Sequence, residues 1–337
     1  MRTDNAHKRF LKLLGHAALV FFVLTTAVPC HAATTLTLAH VYPPGHPTAK
    51  ACQRFADTVK TRSQGRILIK LYDEASMGHQ TPILQSMKNG SLDLAVLSQG
   101  SLSDIVPEFN ALGLPYLFRD PATTKRVLDG IIGQQLVQKL AVKGFVMLSF
   151  LNIEIRQLSN SVHPIINPAD LVGLKIRIPP DPLAAEVISA LGGKPQEINF
   201  SDLYKALKYS VVDGQENPLS NFQTYKLYEV QKYVSLTGHK YSIYALLIGA
   251  SAWDALTVTD REIVRIAANE AASYLRALTL HADAEAYRDL AALGVRINEV
   301  DTKPFVAATA PIYEKWYASP IGDFVRAVVA QAAQGQE

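Results

Sequence analysis

Strand-like and helix-like segments alternate along most of this 337-residue chain, and this alternation limits its fold more than any other feature. Short apolar runs such as Ile67–Tyr72 and Leu92–Leu97 predict strands, and amphipathic stretches between such runs predict helices. Strands that alternate with helices pair in parallel, through right-handed crossovers. The sequence therefore predicts an α/β fold.

No Pro/Gly/Ser-rich linker interrupts the pattern, which favours two lobes joined by several crossing strands. The remaining predicted strands are Leu36–Val41, Phe145–Leu151, Lys175–Ile178, Tyr241–Gly249 and Val295–Ile297. Helices are predicted over Thr48–Arg62, Pro82–Lys88, Pro121–Leu140, Pro182–Leu191, a segment from a cap at Ser201 to Lys208, a long segment from Thr259 to about Leu293, and two segments after it.

The N-terminus has the three parts of a secretory signal peptide. Basic residues before position 13 precede an apolar stretch, Ala17–Val28, and small residues at Cys30 and Ala32 suit a cut before Ala33. An anchor helix is the alternative, but an apolar core of about 12 residues is short for one. We expect residues 1–32 to be removed and the mature chain to be periplasmic.

Loss of the signal peptide changes the charge balance. It removes four basic residues and one acidic residue from totals of 33 and 30, which leaves 29 of each sign. A neutral mature chain does not favour a nucleic-acid partner, and no apolar run is long enough for permanent membrane insertion. Cys52 is then the single cysteine, so an intrachain disulfide is not expected.

Sequence motifs for catalysis or cofactors are absent. The sequence has no G-x-G-x-x-G, no P-loop, no H-E-x-x-H and no Cys-rich metal spacing, so neither a cofactor nor a metal is predicted. The segment Gly249-Ala-Ser-Ala-Trp253 lacks the last glycine of a nucleophile elbow, and Ser251 is predicted to cap a helix instead. We therefore do not expect an enzyme.

Several motifs occur together in the second half of the chain. They are Glu154-Ile-Arg-Gln-Leu-Ser-Asn160, Gly173-Leu-Lys-Ile-Arg-Ile-Pro179, Ile198-Asn-Phe-Ser-Asp-Leu-Tyr204 and Asp213-Gly-Gln-Glu-Asn-Pro218. With Leu112-Gly-Leu-Pro-Tyr-Leu-Phe-Arg-Asp120, this set resembles the extracytoplasmic solute receptors of TRAP transporters, the DctP-type family, over essentially the whole mature chain.

The resemblance implies a two-lobed periplasmic-binding-protein fold, with mixed, mostly parallel sheets and crossover hinge strands. We place residues 33–153 and 243–282 in lobe I, and residues 154–242 and 283–325 in lobe II. The implied function is capture of a small organic acid between closing lobes and its delivery to the membrane permease subunits of an ion-gradient-driven TRAP transporter. In the family's pattern, the selectivity arginine matches Arg177, a second arginine Arg156, the pocket aromatic Phe200 and the pocket amide Asn217.

The residues themselves give physical reasons for these roles. In the strand Lys175–Ile178, alternation puts Ile176 and Ile178 on one face and Arg177 on the other, where its planar guanidinium can grip a carboxylate through two hydrogen bonds. Each residue also has a structural alternative. Arg177 could be a solvated edge residue, Phe200 ordinary core, Asn217 a helix cap and Arg156 an ion-pair partner of nearby Glu154.

Lobe I should add polar groups from loops at the carboxyl ends of its strands, as open α/β sheets do. The candidates are His40, Gln80, Ser98, Gln99 and, after the crossover, Tyr244.

Two other functions remain open: a secreted hydrolase acting on a small carboxylate, and a periplasmic sensor subunit. The identity of the acid is open as well, because a C4-dicarboxylate, a 2-oxo acid, a sugar acid or an aromatic acid could each use one guanidinium anchor.

Overall fold

The computed structural model describes residues 33–279 and 282–334, except for the side chains of residues 152 and 153. The predicted signal peptide, residues 1–32, therefore lies outside the described residues. So do residues 280 and 281, through which the long helix from Thr259 was predicted to run.

Within the described residues, nine strands form one mixed sheet. In chain order they are β1 (Thr34–Ala39), β2 (Ile67–Tyr72), β3 (Leu94–Ser98), β4 (Phe145–Asn160), β5 (Lys175–Ile178), β6 (Lys194–Glu197), β7 (Gly214–Asn217), β8 (Tyr233–Gly249) and β9 (Arg296–Glu299). Their order across the sheet is β2-β1-β3-β8-β4-β7-β5-β6, with β9 paired to β8. Five of these pairs are parallel and three antiparallel, so the predicted mixed, mostly parallel α/β sheet is confirmed.

Helices cover both faces of this sheet. In the described ranges they are α1 (Pro47–Arg62), α2 (Gln80–Lys88), α3 (Gln99–Leu102), α4 (Pro121–Asp129), α5 (Ile131–Val142), α6 (Pro182–Ala190), α7 (Leu203–Lys208), α8 (Leu219–Thr224), α9 (Ala250–Ala255), α10 (Val258–Thr279), α11 (Ala282–Ala292), α12 (Lys303–Tyr317) and α13 (Gly322–Ala333). Short 3₁₀ turns occur at Pro107–Gly113, Pro168–Leu171, Phe200–Asp202 and Leu227–Glu229.

Helix α1 shows how the sequence produces these elements. Pro47 occupies the first turn, where its missing N–H costs nothing, and the His46 side chain caps the helix by accepting a hydrogen bond from the Thr48 N–H. One face of the helix is apolar, and Phe55 and Val59 on it are fully buried. That face packs against α10 and the sheet in one apolar cluster.

Three predicted helix boundaries are wrong. The helix predicted over Pro121–Leu140 is two helices, because Gly130 has an extended backbone that ends α4 before α5 begins. Ser201 and Ser251 do not cap helices, since α7 begins after Asp202 and α9 begins after Gly249.

Strands β4 and β8 are much longer than predicted and form the central antiparallel pair of the sheet. Near Gly249, β8 also pairs with β3, whereas near Asn160 β4 pairs with β7. Three register shifts interrupt the pair. The predicted lobe boundaries, at residues 153/154 and 242/243, fall inside these two strands, and the division into lobes stays a prediction.

Separate apolar clusters lie at the two ends of this strand pair. One contains Phe55, Leu94 and Ile248, and another contains Phe222 and Leu290. Between them, the ends of β1, β3, β5 and β7 approach the middle of β4 and β8, and polar side chains gather there.

Candidate functional site

A cavity lies where these strand ends meet the middle of β4 and β8. Eight of the nine predicted site residues line it, and they come from both halves of the sheet: Gln80, Ser98, Gln99, Arg156, Arg177, Phe200, Asn217 and Tyr244. The structure thus brings together residues as far apart in sequence as Gln80 and Tyr244.

His40 is the exception, and its predicted place at this site is wrong. Strand β1 ends at Ala39, and the His40 side chain is buried with its Nδ1 atom 3.3 Å from the Tyr42 backbone nitrogen. It borders a different depression, beside Lys50 and Asp73. Burial lowers the pKa of His40.

Arg177 is among the most deeply buried large side chains of the described residues, at 1% exposure. Its Nε donates to the Ile198 carbonyl at 2.8 Å. Its Nη1 and Nη2 atoms are buried and have no hydrogen-bond partner within the described part of the chain. Burial is the largest cause that lowers the pKa of Arg177, and the positive charge of Arg156 lowers it further. The Glu216 charge acts in the opposite direction, and the resulting pKa is about 9.

Phe200 forms one wall beside this guanidinium. The Arg177 Cζ atom is 5.4 Å from the centroid of the ring, a distance at which a cation interacts favourably with an aromatic face. The ring is half-buried and meets Tyr225 edge-on, with 4.4 Å between the centroids. The alternation of strand β5 predicted the direction of the Arg177 side chain, because Ile176 and Ile178 point into the core on the opposite face of the strand.

Arg156 is paired, in contrast to Arg177. Its Nε and Nη2 atoms bind the Glu216 carboxylate in a buried ion pair, with Nη2 2.7 Å from Oε1, and its Nη1 donates to Ser242 Oγ at 2.7 Å. Burial opposes both charges, but their mutual attraction raises the pKa of Arg156 and lowers the pKa of Glu216. The suggested partner, Glu154, is wrong; one of its carboxylate oxygens accepts from Ser220 Oγ at 3.0 Å.

A second buried ion pair borders the cavity. Lys240 Nζ binds Asp181 Oδ2, and the other carboxylate oxygen of Asp181 caps α6 by accepting from the N–H groups of Leu183 and Ala184, at 3.0 and 3.2 Å. Sequence reasoning missed both residues. Asp181 could have been found as a cap before Pro182, but nothing in the sequence pairs it with Lys240, which lies 59 positions away.

Asn217 ends strand β7, two residues before α8 begins, and its side chain is buried. Its Oδ1 accepts from Asn221 Nδ2 at 3.0 Å, and Asn221 Oδ1 lies 2.8 Å from His46 Nε2. This chain of side chains connects β7 and α8 with the start of α1.

The opposite wall is a neutral hydrogen-bonded cluster. Gln80 Oε1 accepts from the Ser98 N–H and from Ser101 Oγ, both at 2.8 Å, and Gln99 Oε1 accepts from the Ile243 N–H at 2.9 Å. Tyr42 and Tyr244 lie beside it with their rings 5.8 Å apart. Tyr42 was missed, although it follows β1 in the same loop as His40.

A family model described as "Bacterial extracellular solute-binding protein, family 7" (DctP) matches residues 38–319. The uncharacterized protein y4mM of Sinorhizobium fredii is 39% identical over 317 residues, which cover 93% of this chain and 58% of that protein. The chain thus spans less than two thirds of the length of this relative.

Solved structures with the same fold are also similar in sequence. The sugar acid binding protein DctPAm of Advenella mimigardefordensis, in complex with galactonate, has a TM-score of 0.86 and 29% identity, and the match covers 90% of this chain and 98% of that one. A TRAP periplasmic solute binding protein of Sulfurospirillum deleyianum, with bound succinate, has a TM-score of 0.84 and 31% identity, covering 89% and 99%.

Proposed function

This chain belongs to family 7 of the bacterial extracellular solute-binding proteins, and from that premise we propose that it captures a small organic acid at Arg177 and delivers it to the permease subunits of a TRAP transporter. The predicted DctP-type family and the two-lobed periplasmic-binding fold are confirmed. The bound acid and the permease partner are our proposal and go beyond these findings.

One observation carries the proposal: two buried nitrogen atoms of Arg177 have no partner among the described residues and line the cavity. A buried guanidinium without hydrogen bonds is costly, so a guest that supplies two parallel acceptors is strongly favoured. A carboxylate has this geometry. Phe200 and Asn217 border the same space and would orient the rest of the guest.

Closure of two lobes over the guest completes the proposed mechanism. Residues 33–153 with 243–282 would move against residues 154–242 with 283–325, through bending of β4 and β8. Gln80 and Ser98 belong to the first group, and Arg177 and Phe200 to the second, so closure would bring both walls onto the guest. Expulsion of water would strengthen the charged contact.

The family is extracellular, in agreement with the predicted export signal. We propose removal of residues 1–32 near Ala32 and a periplasmic mature protein. In the described ranges, no helix combines the length and apolar character needed to cross a membrane. N-terminal sequencing of the exported protein tests this, and an N-terminus far from Ala33 would contradict it.

The experiment that tests the proposed function identifies the guest. The exported protein is purified without added ligand and denatured, and the released small molecules are analysed by mass spectrometry. We expect an organic acid from the unmodified protein and from Arg326→Ala, which removes an exposed arginine on α13, but not from Arg177→Ala. A neutral guest, or an acid retained by Arg177→Ala, would contradict the proposal.

We propose a receptor rather than an enzyme, because family 7 is a family of solute-binding proteins. Chemical change of the identified acid during incubation with the protein would instead favour the secreted hydrolase. Neighbouring genes for permease subunits would support transport over a sensor role.

A further inference from the structure

Three Lys or Arg side chains line the cavity in the described part of the chain. Buried ion pairs neutralise two of them, so one positive charge is available to a guest. Among the described residues, Arg156, Arg177 and Lys240 line the cavity. Glu216 neutralises Arg156 and Asp181 neutralises Lys240, each within a buried pair. Arg177 is left with its two free Nη atoms, which suit one carboxylate.

The rest of the wall consists largely of neutral hydrogen-bonding groups. The amides of Gln80, Asn217 and Asn221 and the hydroxyls of Ser98, Ser101 and Ser242 line it. The buried Tyr42 hydroxyl lies next to that of Tyr244. Amide and hydroxyl groups form hydrogen bonds with hydroxyl groups on a guest and need no further charge to do so.

The two tyrosines of the cavity lie near a buried carboxylate. Glu154 is 6% exposed and lies close enough to Tyr42 and Tyr244 to affect both phenols. Burial raises the pKa of Tyr42, and the Glu154 charge raises it further. Both phenols therefore stay neutral and offer hydroxyl groups to a guest.

We propose that the guest is a hydroxylated monocarboxylate, an acid of the aldonic or uronic type, and that the site discriminates against dicarboxylates of the same skeleton. This inference rests on the proposed function, since it assumes that Arg177 grips a carboxylate. Of the two related structures described above, one holds galactonate and the other holds succinate, an acid of each class.

The test compares acids that differ in one group. Galactonate, galactarate and hexanoate share a six-carbon chain but differ in the second carboxylate or in the hydroxyls; erythronate, meso-tartrate and butyrate are the four-carbon equivalents. Calorimetry with the exported protein, freed of guest, measures each affinity.

We expect one hydroxylated monoacid to bind about tenfold or more tightly than both its diacid and its unhydroxylated counterpart. A diacid that binds as tightly as its monoacid would overturn this inference and leave the proposed function intact. If no acid of either series binds and the acid released from the denatured protein is not a hydroxylated monocarboxylate, this inference is wrong and the proposed function stands. A guest that is not an acid would overturn both.

A variant tests the charge argument directly. In Asp181→Asn, the amide still caps α6, but Lys240 loses its counter-charge and becomes a second free cation in the cavity. We expect the preference for monoacid over diacid to fall by about tenfold or more. Asp120→Asn is the matched control, because Asp120 caps α4 in the same way but lies outside the cavity lining, so the preference should not change.

An unchanged preference in Asp181→Asn would mean that the Lys240 charge does not control selectivity, and would overturn the inference. Thermal unfolding of both variants, compared with the unmodified protein, confirms that each one is folded when its affinities are measured.

Discussion

The guanidinium of Arg177 lies over the ring of Phe200, with 5.4 Å between Cζ and the ring centroid, and its only protein hydrogen bond among the described residues is the one from Nε to the Ile198 carbonyl. The ring and the carbonyl fix the plane of the guanidinium. The two Nη atoms therefore face the cavity in one defined direction before any guest arrives.

We predict from this geometry that Arg177→Ala weakens binding of the acid by about 2–5 kcal/mol, because a desolvated carboxylate loses its partner. Arg177→Lys should also weaken binding, since an ammonium group cannot form the two parallel hydrogen bonds. Titration calorimetry with the identified guest measures both changes. Unaltered affinity in Arg177→Lys would show that charge alone, without the planar fork, is recognised.

Because its charge is buried and unpaired, Arg177 should lower the stability of the folded protein when no guest is bound. Arg177→Met replaces an unpaired buried charge by an apolar side chain of similar length, and we expect the free energy of unfolding to rise by about 1–4 kcal/mol. Urea denaturation of guest-free protein measures this change. A fall in the free energy of unfolding would contradict the idea that Arg177 serves binding at the expense of stability.

Substitution of Glu216 should lower the free energy of unfolding, in contrast to substitution of Arg177. Glu216→Gln leaves the buried Arg156 guanidinium without a counter-charge, so the free energy of unfolding should fall by about 3–5 kcal/mol. Glu270→Gln breaks an exposed pair with Arg62 and should change it by less than about 1 kcal/mol. Equal effects in the two variants, in the same denaturation assay, would contradict the prediction.

His46 should contribute to loss of stability in acid. Burial lowers its pKa from 6.5 to about 4, so the folded protein binds fewer protons than the unfolded chain between these values, and stability falls as the pH falls through them. Between about pH 7 and about pH 5 the loss should be about 2 kcal/mol.

The variant His46→Asn retains a helix cap but removes this titration. Burial also lowers the pKa values of His40 and His239, so the unmodified protein should lose more than the His46 share. The difference in pH dependence between the two proteins isolates His46. If their unfolding free energies change in parallel with pH, His46 does not titrate as expected.

Local patterns in the sequence were enough to predict the orientation of Arg177 and the helix α1. A strand alternates its faces and a helix repeats every three to four residues, whatever the rest of the chain does. His40 was misplaced because β1 ends at Ala39, one residue before it, and the side chain borders a different depression. Strand ends depend on pairing with distant strands, which the local sequence does not report.

The ion pairs of the site could not be predicted for a related reason. Arg156 pairs with Glu216 at a separation of 60 residues, whereas sequence proximity suggested Glu154. The register of β4 on β7 places the Glu216 carboxylate beside Arg156, and pairing registers are a property of the folded sheet. Because these pairs decide which cation is free, the selectivity of the cavity also depends on tertiary structure.

Strands β4 and β8 both connect the two halves of the sheet and provide Arg156, Lys240, Ser242 and Tyr244 to the cavity. One register shift of the pair lies directly after Arg156. A substitution on these strands therefore alters the stiffness of the joint together with the contacts to the guest. Redesign of the receptor for a new acid is consequently best directed to positions outside this strand pair, such as Phe200, where recognition can change while the joint stays as it is.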